Sequence, residues 1–332
     1  MILITGASGY IGSHFLVEVI KKNIDYLAVD DFSRSDPDTI KKINQITKKK
    51  VNFIQGNIGK KRFLQKIFSE NNITKVIHFA GLKSINESYE YPLDYYQCNV
   101  SNTIQLLNVM RKYNAKKFIF SSSATVYGDC KQQPIPETAE IKSMSVYGST
   151  KIAIERMLSE VASKGIIDVV SLRYFNPVGA HKEKIIYENP FDSPNNLMPR
   201  IIRVALGIDE KLEVFGDDYE TKDGSGERDY IHILDLINGH FSAIDYILDH
   251  KGANVFNLGT GRSTSVFQLI KTFESVNSLK IPYAVSKRRS GDVAKCFADP
   301  SLARKKLNWQ TEYDLSEMCK DAWLGVKDNG SS

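Results

Sequence analysis

Cysteine is scarce in this chain. Cys98, Cys130, Cys296 and Cys319 stand far apart among 332 residues. None has metal-ligand spacing, and so few in a chain this long argue against a disulfide scaffold. No metal is expected, and a reduced, cytoplasmic protein is. No apolar run approaches the roughly 20 residues of a membrane span, so no membrane partner is expected. The amino terminus enters an apolar run, Ile2-Leu3-Ile4-Thr5, without the basic stretch and cleavage site of a leader. Charge of one sign is lacking too: the net value of +5 is small for the length. No stripe of Lys and Arg interleaved with aromatics argues for nucleic acid. Internal repeats and low-complexity segments are absent, and the residues from Lys327 to Ser332 read as a polar tail.

What the chain does have is alternation. Short apolar runs lie at Ile2–Thr5, Tyr26–Val29, Asn52–Gln55, Lys75–Ala80, Lys117–Ser121 and Asp168–Tyr174. They are mostly β-branched or aromatic and are followed by Gly, Asp or Ser, the pattern of strands buried on both faces. Amphipathic stretches such as Ile11–Lys22 and Lys60–Asn71 separate them. Repeated βα units predict an α/β fold, a doubly wound parallel sheet with right-handed crossovers. After about Asn176 the character changes. Asn189-Pro190, Ser193-Pro194 and Met198-Pro199 punctuate the chain, and turn residues cluster at Asp217-Asp218 and Asp223–Gly226. Two domains are expected: a doubly wound one over residues 1–176, joined by a returning strand near 254–259, and a smaller α/β ligand domain over 177–330.

The first run ends in Gly6-Ala7-Ser8-Gly9-Tyr10-Ile11-Gly12, and a helical stretch follows. Glycines at this spacing let the backbone turn tightly and approach a pyrophosphate, while the free N–H groups of a helix start face the anion. At the head of a βαβ unit this is the Rossmann dinucleotide fingerprint. Asp30 ends the second run roughly 20 residues past Gly12, where a carboxylate bonds the ribose 2′-hydroxyl of NAD and repels the 2′-phosphate of NADP. Arg34 nearby would favour NADP, but direct repulsion at Asp30 outweighs it. Asp31 reads equally as a turn residue.

A tyrosine and a lysine one helical turn apart face the same side, and many NAD enzymes use such a pair for proton chemistry. The spacing occurs at Tyr113/Lys117, Tyr127/Lys131, Tyr147/Lys151 and Tyr283/Lys287. Lys117 opens a strand, Gly128-Asp129 turns the chain after Tyr127, and Tyr283 follows Pro282 in an extended run. Only Tyr147 opens a long helical pattern, with Ile154, Met157, Leu158 and Val161 at helical spacing and Gly165 closing it. A free tyrosine titrates near ~10, so Tyr147 needs help as a base. The Lys151 ammonium and a cationic nicotinamide both favour the phenolate and are expected to lower that value. Lys151 would also hold the nicotinamide ribose. Ser123 is assigned to the same sugar hydroxyl, although spacing does not separate it from Ser122.

With these residues in view, the chain resembles the extended short-chain dehydrogenase/reductases and, within them, the UDP-galactose (UDP-glucose) 4-epimerase family. The likeness runs from Met1 to about Trp323. It is carried by the glycine loop, by HFAGLK at His78–Lys83, SSSATVYG at Ser121–Gly128 and Tyr147–Lys151, then by RYFNPVGAH at Arg173–His181, NNLMP at Asn195–Pro199 and ERDYIH at Glu227–His232. The resemblance implies tightly bound NAD. Gly6, Gly9, Tyr10, Ile11 and Gly12 would meet its pyrophosphate, and Asp30, Asp31, Phe32, Ser33, Arg34 and Ser35 its adenosine ribose. Asn57 and Ile58 would meet adenine. Phe79, Ala80, Gly81, Lys83, Asn99 and Phe175, with Ser123, Tyr147 and Lys151, would surround the rest. It also implies a UDP-sugar site at Asn176, Asn195, Asn196, Leu197, Leu212, Phe215, Arg228, Arg289, Asp292 and Cys296, reached by Lys83, Ser123 and Tyr147, and a homodimer. Arg228 and Arg289 suit a diphosphate, which guanidinium groups grip by charge-assisted bonds. Arg289, in a basic run, reads also as a surface ion-pair residue.

The resemblance implies a cycle in which Tyr147 takes the 4-hydroxyl proton as hydride passes from C4 to NAD. The 4-keto sugar then turns about its diphosphate anchor, and proton and hydride return. Two positions depart from the family pattern. Asn57 stands where Asp is usual, and an amide still accepts a bond from the adenine amino group. Cys296 stands at the position of a tyrosine gate that restricts the pocket to plain hexoses. The smaller side chain predicts room for an N-acetyl group, so that UDP-GlcNAc and UDP-GalNAc interconvert as UDP-glucose and UDP-galactose do. Alternatively Cys296 is a buried apolar side chain without influence on substrate. A nucleotide-sugar dehydratase of the same family is a rival, but it needs Asp-Glu where Ala124-Thr125 stand. A non-catalytic NAD(H)-binding regulator on the same fold is the other, and it is expected to lack the Tyr/Lys pair.

Overall fold

The computed structural model describes residues 1–191, 194–289 and 291–327. Ser193 of the Ser193-Pro194 punctuation and the tail after Lys327 lie outside the described residues. The six apolar runs form β1 (Ile2–Thr5), β2 (Tyr26–Asp30), β3 (Phe53–Gln55), β4 (Lys75–His78), β5 (Lys117–Ser123) and β6 (Asp168–Tyr174). With the strand Ala253–Leu258 they make a seven-stranded sheet, in the order Ala253–Leu258, β6, β5, β4, β1, β2, β3. The pairs β1/β2, β1/β4, β2/β3 and β4/β5 are parallel, with Ile2 opposite both Tyr26 and Lys75. The chain therefore winds outward from β1 to β3 and restarts at β4 on the other side of β1. That reversal is the switch point at which doubly wound sheets bind ligands. The expected α/β class holds, and the returning strand closes one edge.

Burial explains why these segments are strands and helices. Leu3, Leu27, Val29, Val76, Phe118 and Phe120 from the sheet pack with Leu64 and Ile67, Leu106 and Met110, and Ile154 and Leu158. The last three pairs lie on the helices Lys61–Glu70, Asn102–Lys112 and Val146–Ser163. Each such aliphatic or aromatic side chain taken out of water contributes about 1.5–3 kcal/mol.

The chain divides into two compact units. The first contains residues 1–127, 141–173 and 239–256, and the second contains 128–140, 174–238 and the chain from 257 onward. This differs from a single cut after residue 176. Residues 239–256 go to the first unit because they complete its sheet and pack on it: Phe15 stacks on Phe241 at 5.0 Å, and Lys117 Nζ donates to the Ile247 and Leu248 carbonyls. Residues 128–140 go to the second, where Ile135 bridges Ala298.

The second unit has its own core, with Val178, Met198, Ile201, Leu212, Val214, Tyr230, Phe273 and Trp323. Its strands are short. Asn176–Val178 pairs with Tyr230–His232, Leu212–Phe215 with Tyr283–Ser286, and Glu227–Arg228 with both Thr264–Ser265 and Lys295–Cys296. Among the described residues no helix is long and apolar enough to cross a membrane, and no group of three His, Cys, Asp or Glu could hold a metal ion.

Candidate active site

The glycine loop takes the form its spacing predicts. Gly6 has φ +69°, which favours glycine, and a Cβ there would lie 2.6 Å from Ala80 N. A Cβ on Gly12 would lie 2.0 Å from Gly6 O. Gly9 caps the helix Tyr10–Lys21 with no side-chain bond, and no acid stands in the first turn. The N–H groups of Tyr10 and Ile11 thus open a helix start suited to an anion.

Asp30 and Asp31 organise the next loop. Asp30 accepts from Ser8 N, Phe32 N and the Ser35 hydroxyl at 2.9–3.0 Å. Asp31 accepts from Ser33 N and Oγ and from Asn57 Nδ2, the last at 2.6 Å. The Asn57 oxygen accepts from Gly59 N at 2.7 Å, so this amide ties two segments together. Ile58 is buried in the core. Arg34 is paired with Glu87.

After β4, the Phe79 ring lies 4.9 Å from His240, and Ala80, Gly81 and Lys83 continue the loop. Asn99 is 2% exposed and clamps this loop. Its side chain accepts from Leu82 N and donates to Leu82 O and Thr150 Oγ1.

The four Tyr/Lys spacings now separate. Tyr113 caps a helix, and Lys117 starts β5. Tyr127 ends the short 3-10 turn Ala124–Tyr127, and Lys131 pairs with Asp129. Tyr283 starts a short strand and is half exposed. Tyr147 alone shares a helix with its lysine. Ser145 caps this helix through Gly148 N, and Lys151 Nζ lies 5.7 Å from the Tyr147 ring centroid. Lys151 Nζ donates to Ser121 O at 2.8 Å, and the Ser123 side chain faces the Tyr147 phenol, while its Oγ accepts from Thr125 N and Oγ1 at 3.2 and 3.0 Å. The Ser122 hydroxyl is engaged elsewhere and donates to Glu155.

One expectation is corrected. The Tyr147 phenol is not lowered in the chain alone: burial pushes it up to about 12, against the opposing bond from Ser123. Desolvation of the phenolate outweighs its hydrogen bond. Burial brings the Lys151 ammonium down to about 8, opposed by the Cys98 thiol and the Glu155 carboxylate.

In the second unit, one buried residue that the sequence reading passed over organises the predicted UDP-sugar positions. Asp229 accepts from Thr260 N and Oγ1, Gly261 N and Ala298 N at 2.7–3.1 Å. Its N–H donates to Cys296 O, and its carbonyl accepts from Asn176 N and Nδ2. Asn176, Arg228 and Cys296, far apart in sequence, are thereby set in register. Arg228 donates to Glu227 O and Val293 O and lies 3.8 Å from Asp292. Arg289 covers the Phe215 ring at 3.6 Å, a cation–π contact, and its O accepts from Asp292 N. Leu212, on the same strand, is buried in the core. Asn195, Asn196 and Leu197 stand at the start of the helix Leu197–Ala205, where Asn196 Nδ2 donates to Glu188. Phe175 is buried and bonded to Leu258 O. Burial pushes the Cys296 thiol up to about 11, so it is a neutral, small side chain.

This arrangement was compared with known proteins. The family model described as GDP-mannose 4,6 dehydratase matches residues 3–322. The UDP-glucose 4-epimerase of Pasteurella multocida is 47% identical over 330 residues, 99% of this chain and 98% of that one. The chain belongs to the UDP-glucose 4-epimerase family. Two solved members of that family superpose on nearly its whole length. The enzyme from Stenotrophomonas maltophila, with bound NAD and formylated UDP-arabinopyranose, has a TM-score of 0.96 at 40% identity, covering 100% of this chain and 99% of that one. The enzyme from Bifidobacterium longum, in complex with NAD+ and UDP, has a TM-score of 0.95 at 42% identity, covering 99% and 98%. The family assignment fits an intact Tyr147/Lys151 pair and the absence of paired acids after Ser123.

Proposed function

We propose that this chain interconverts UDP-glucose and UDP-galactose by NAD-dependent 4-epimerisation through a transient 4-keto sugar. The observation that carries the reading is the Ser123–Tyr147–Lys151 cluster at the end of β5, in a member of the epimerase family. NAD fits the residues present. The loop at Gly6, Gly9 and Gly12 leaves no room for a Cβ at its first and last glycine. The Asp30 carboxylate takes three donors and offers about four lone-pair sites, so a ribose hydroxyl can still bond it.

Bound NAD supplies the acceptor that takes hydride from the sugar C4 and the donor that gives it back. Tyr147 takes and returns the 4-hydroxyl proton, and Ser123 aligns its phenol. The Lys151 ammonium and the positive nicotinamide ring favour phenolate, against the burial that otherwise keeps the proton on. Arg228 and Arg289 hold the diphosphate by charge-assisted bonds. Binding energy from the nucleotide positions the reacting sugar.

The reading extends to UDP-GlcNAc and UDP-GalNAc, because Cys296 is far smaller than the tyrosine gate of the family. It also includes a homodimer and a cytoplasmic location. Support for a second copy comes from the first unit, where Tyr89, Tyr91, Leu93, Tyr96 and Ile104 are 41–81% exposed along successive helical segments. Large apolar side chains gathered on a surface mark a protein interface. The test is incubation of the purified protein, without added cofactor, with UDP-glucose and separately with UDP-GlcNAc, followed by NMR of the anomeric protons. Both 4-epimers should appear. UDP-glucose conversion alone would remove the N-acetyl extension, and no conversion even with added NAD would overturn the reading.

A further inference from the structure

Three consecutive residues at the end of β5 are each tied to one residue of the helix Val146–Ser163. Lys151 Nζ donates to the Ser121 carbonyl, the Ser122 hydroxyl donates to Glu155 Oε1, and the Ser123 side chain faces the Tyr147 phenol. Tyr147, Lys151 and Glu155 stand at i, i+4 and i+8, one stripe of the helix. The pairings at Lys151 and Tyr147 belong to the proposed chemistry. The one at Glu155 has no role in it so far.

Glu155 is 7% exposed, and Arg173 in β6 is 5% exposed. Arg173 grips the carboxylate with two bonds, Nε to Oε1 at 3.0 Å and Nη2 to Oε2 at 2.6 Å. Its Nη1 donates to the Tyr127 hydroxyl at 2.8 Å, and its guanidinium lies over the Tyr127 ring at 4.9 Å. A buried pair of this kind costs desolvation that its own attraction barely offsets. A well-packed apolar pair would stabilise the fold as well, so stability alone does not account for it. The pair joins β5, the turn Ala124–Tyr127, β6 and the catalytic helix at one point.

Resting on the epimerase reading above, we propose that Glu155, held by Arg173, is a positioning residue. It fixes the end of β5 so that Ser123 meets Tyr147, and it places a carboxylate, gripped by Arg173, one helical turn from the Lys151 ammonium. The groups that face Lys151 are few. Cys98 comes from the turn Tyr96–Ser101, His78 from β4, and Tyr147 and Glu155 from its own helix. The first three are neutral near pH 7: burial holds His78 down to about 3 and raises both the Cys98 thiol and the phenol. Glu155 is the carboxylate of the group, held by two bonds from Arg173.

The test is UDP-galactose epimerisation by the NAD-loaded enzyme, with kcat and KM followed against pH for wild type and Glu155→Gln. The expected result is a kcat lower by about tenfold or more with KM within about twofold, since misplacing a reacting group costs rate rather than binding. The alkaline limb of kcat should also move to lower pH, because an ammonium deprived of its neighbouring anion loses its proton sooner. An E155Q enzyme that folds, keeps NAD and retains the wild-type kcat and limb overturns the proposal, as does one that only melts earlier. If Arg173, left unpaired, prevents folding, E155Q/R173Q leaves neither charge alone and is judged by the same limb. An inactive wild type would count against the functional reading. An active wild type with indifferent variants counts against this proposal alone.

Discussion

The two units hold their functional residues in different ways. In the first, side chains hold side chains. Lys151, Glu155 and Arg173 are 5–7% exposed and bonded into a long helix and two seven-residue strands. In the second, the backbone does the holding. Asn176, Arg228 and Cys296 sit on strands of two or three residues, and Asp229 ties those strands together through main-chain groups. The difference follows from the work proposed for each. Proton transfer needs atoms fixed within hydrogen-bond reach, and long regular elements provide that. Anchoring a diphosphate needs charge in roughly the right place, for which short strands suffice, and the sugar must stay free to turn.

That comparison can be broken most sharply at Tyr147. Tyr147→Phe should lower kcat by about 10²–10⁴-fold, the usual size of a general acid–base contribution. NAD should remain bound, as the absorbance of the purified protein would report. Gly12→Ala tests the rigidity of the first unit at its other end. A Cβ 2.0 Å from Gly6 O forces the loop apart, and the purified protein should carry little or no NAD.

The second unit should respond differently. Asp229→Asn leaves buried donors short of an acceptor and should destabilise by about 1–3 kcal/mol in a denaturant titration. KM for the UDP-sugar should rise more than kcat falls; a loss confined to kcat would mean that the two units are held alike. Cys296→Tyr should cost turnover of UDP-GlcNAc by at least about tenfold while leaving UDP-glucose within about threefold, in line with pocket discrimination by shape. The smallest effect expected is on pH. The Lys151 ammonium at about 8 is lost as pH rises through that value, so kcat should fall on that side. Its folded pKa lies below the unfolded value near 10.4, so the unfolded chain binds more protons between the two, and this group raises stability as pH increases across that window. A flat kcat from pH 7 to 9 would remove Lys151 from the proton chemistry.

Much of this was legible in the residues. The alternation of apolar runs, the glycine loop and the acid after β2 depend on local backbone chemistry, which spacing records. Tyr147 was separable from its three decoys because helix periodicity and Gly165 are local signals as well. Glu155 left a trace that could have been read: it continues the Tyr147/Lys151 stripe by one more turn. Asp229 left less, since an acid inside an apolar run shows burial without naming its partners.

The sequence by itself determined the doubly wound sheet, the dinucleotide loop and the tyrosine–lysine pair, because each rests on neighbours within one or two turns of chain. Only the tertiary structure decided the rest. It returned residues 239–256 to the first unit, bound Asp229 to three distant segments, and raised the Tyr147 phenol rather than lowering it. These outcomes depend on desolvation and on contacts between residues remote in sequence, and spacing along a chain carries no measure of either.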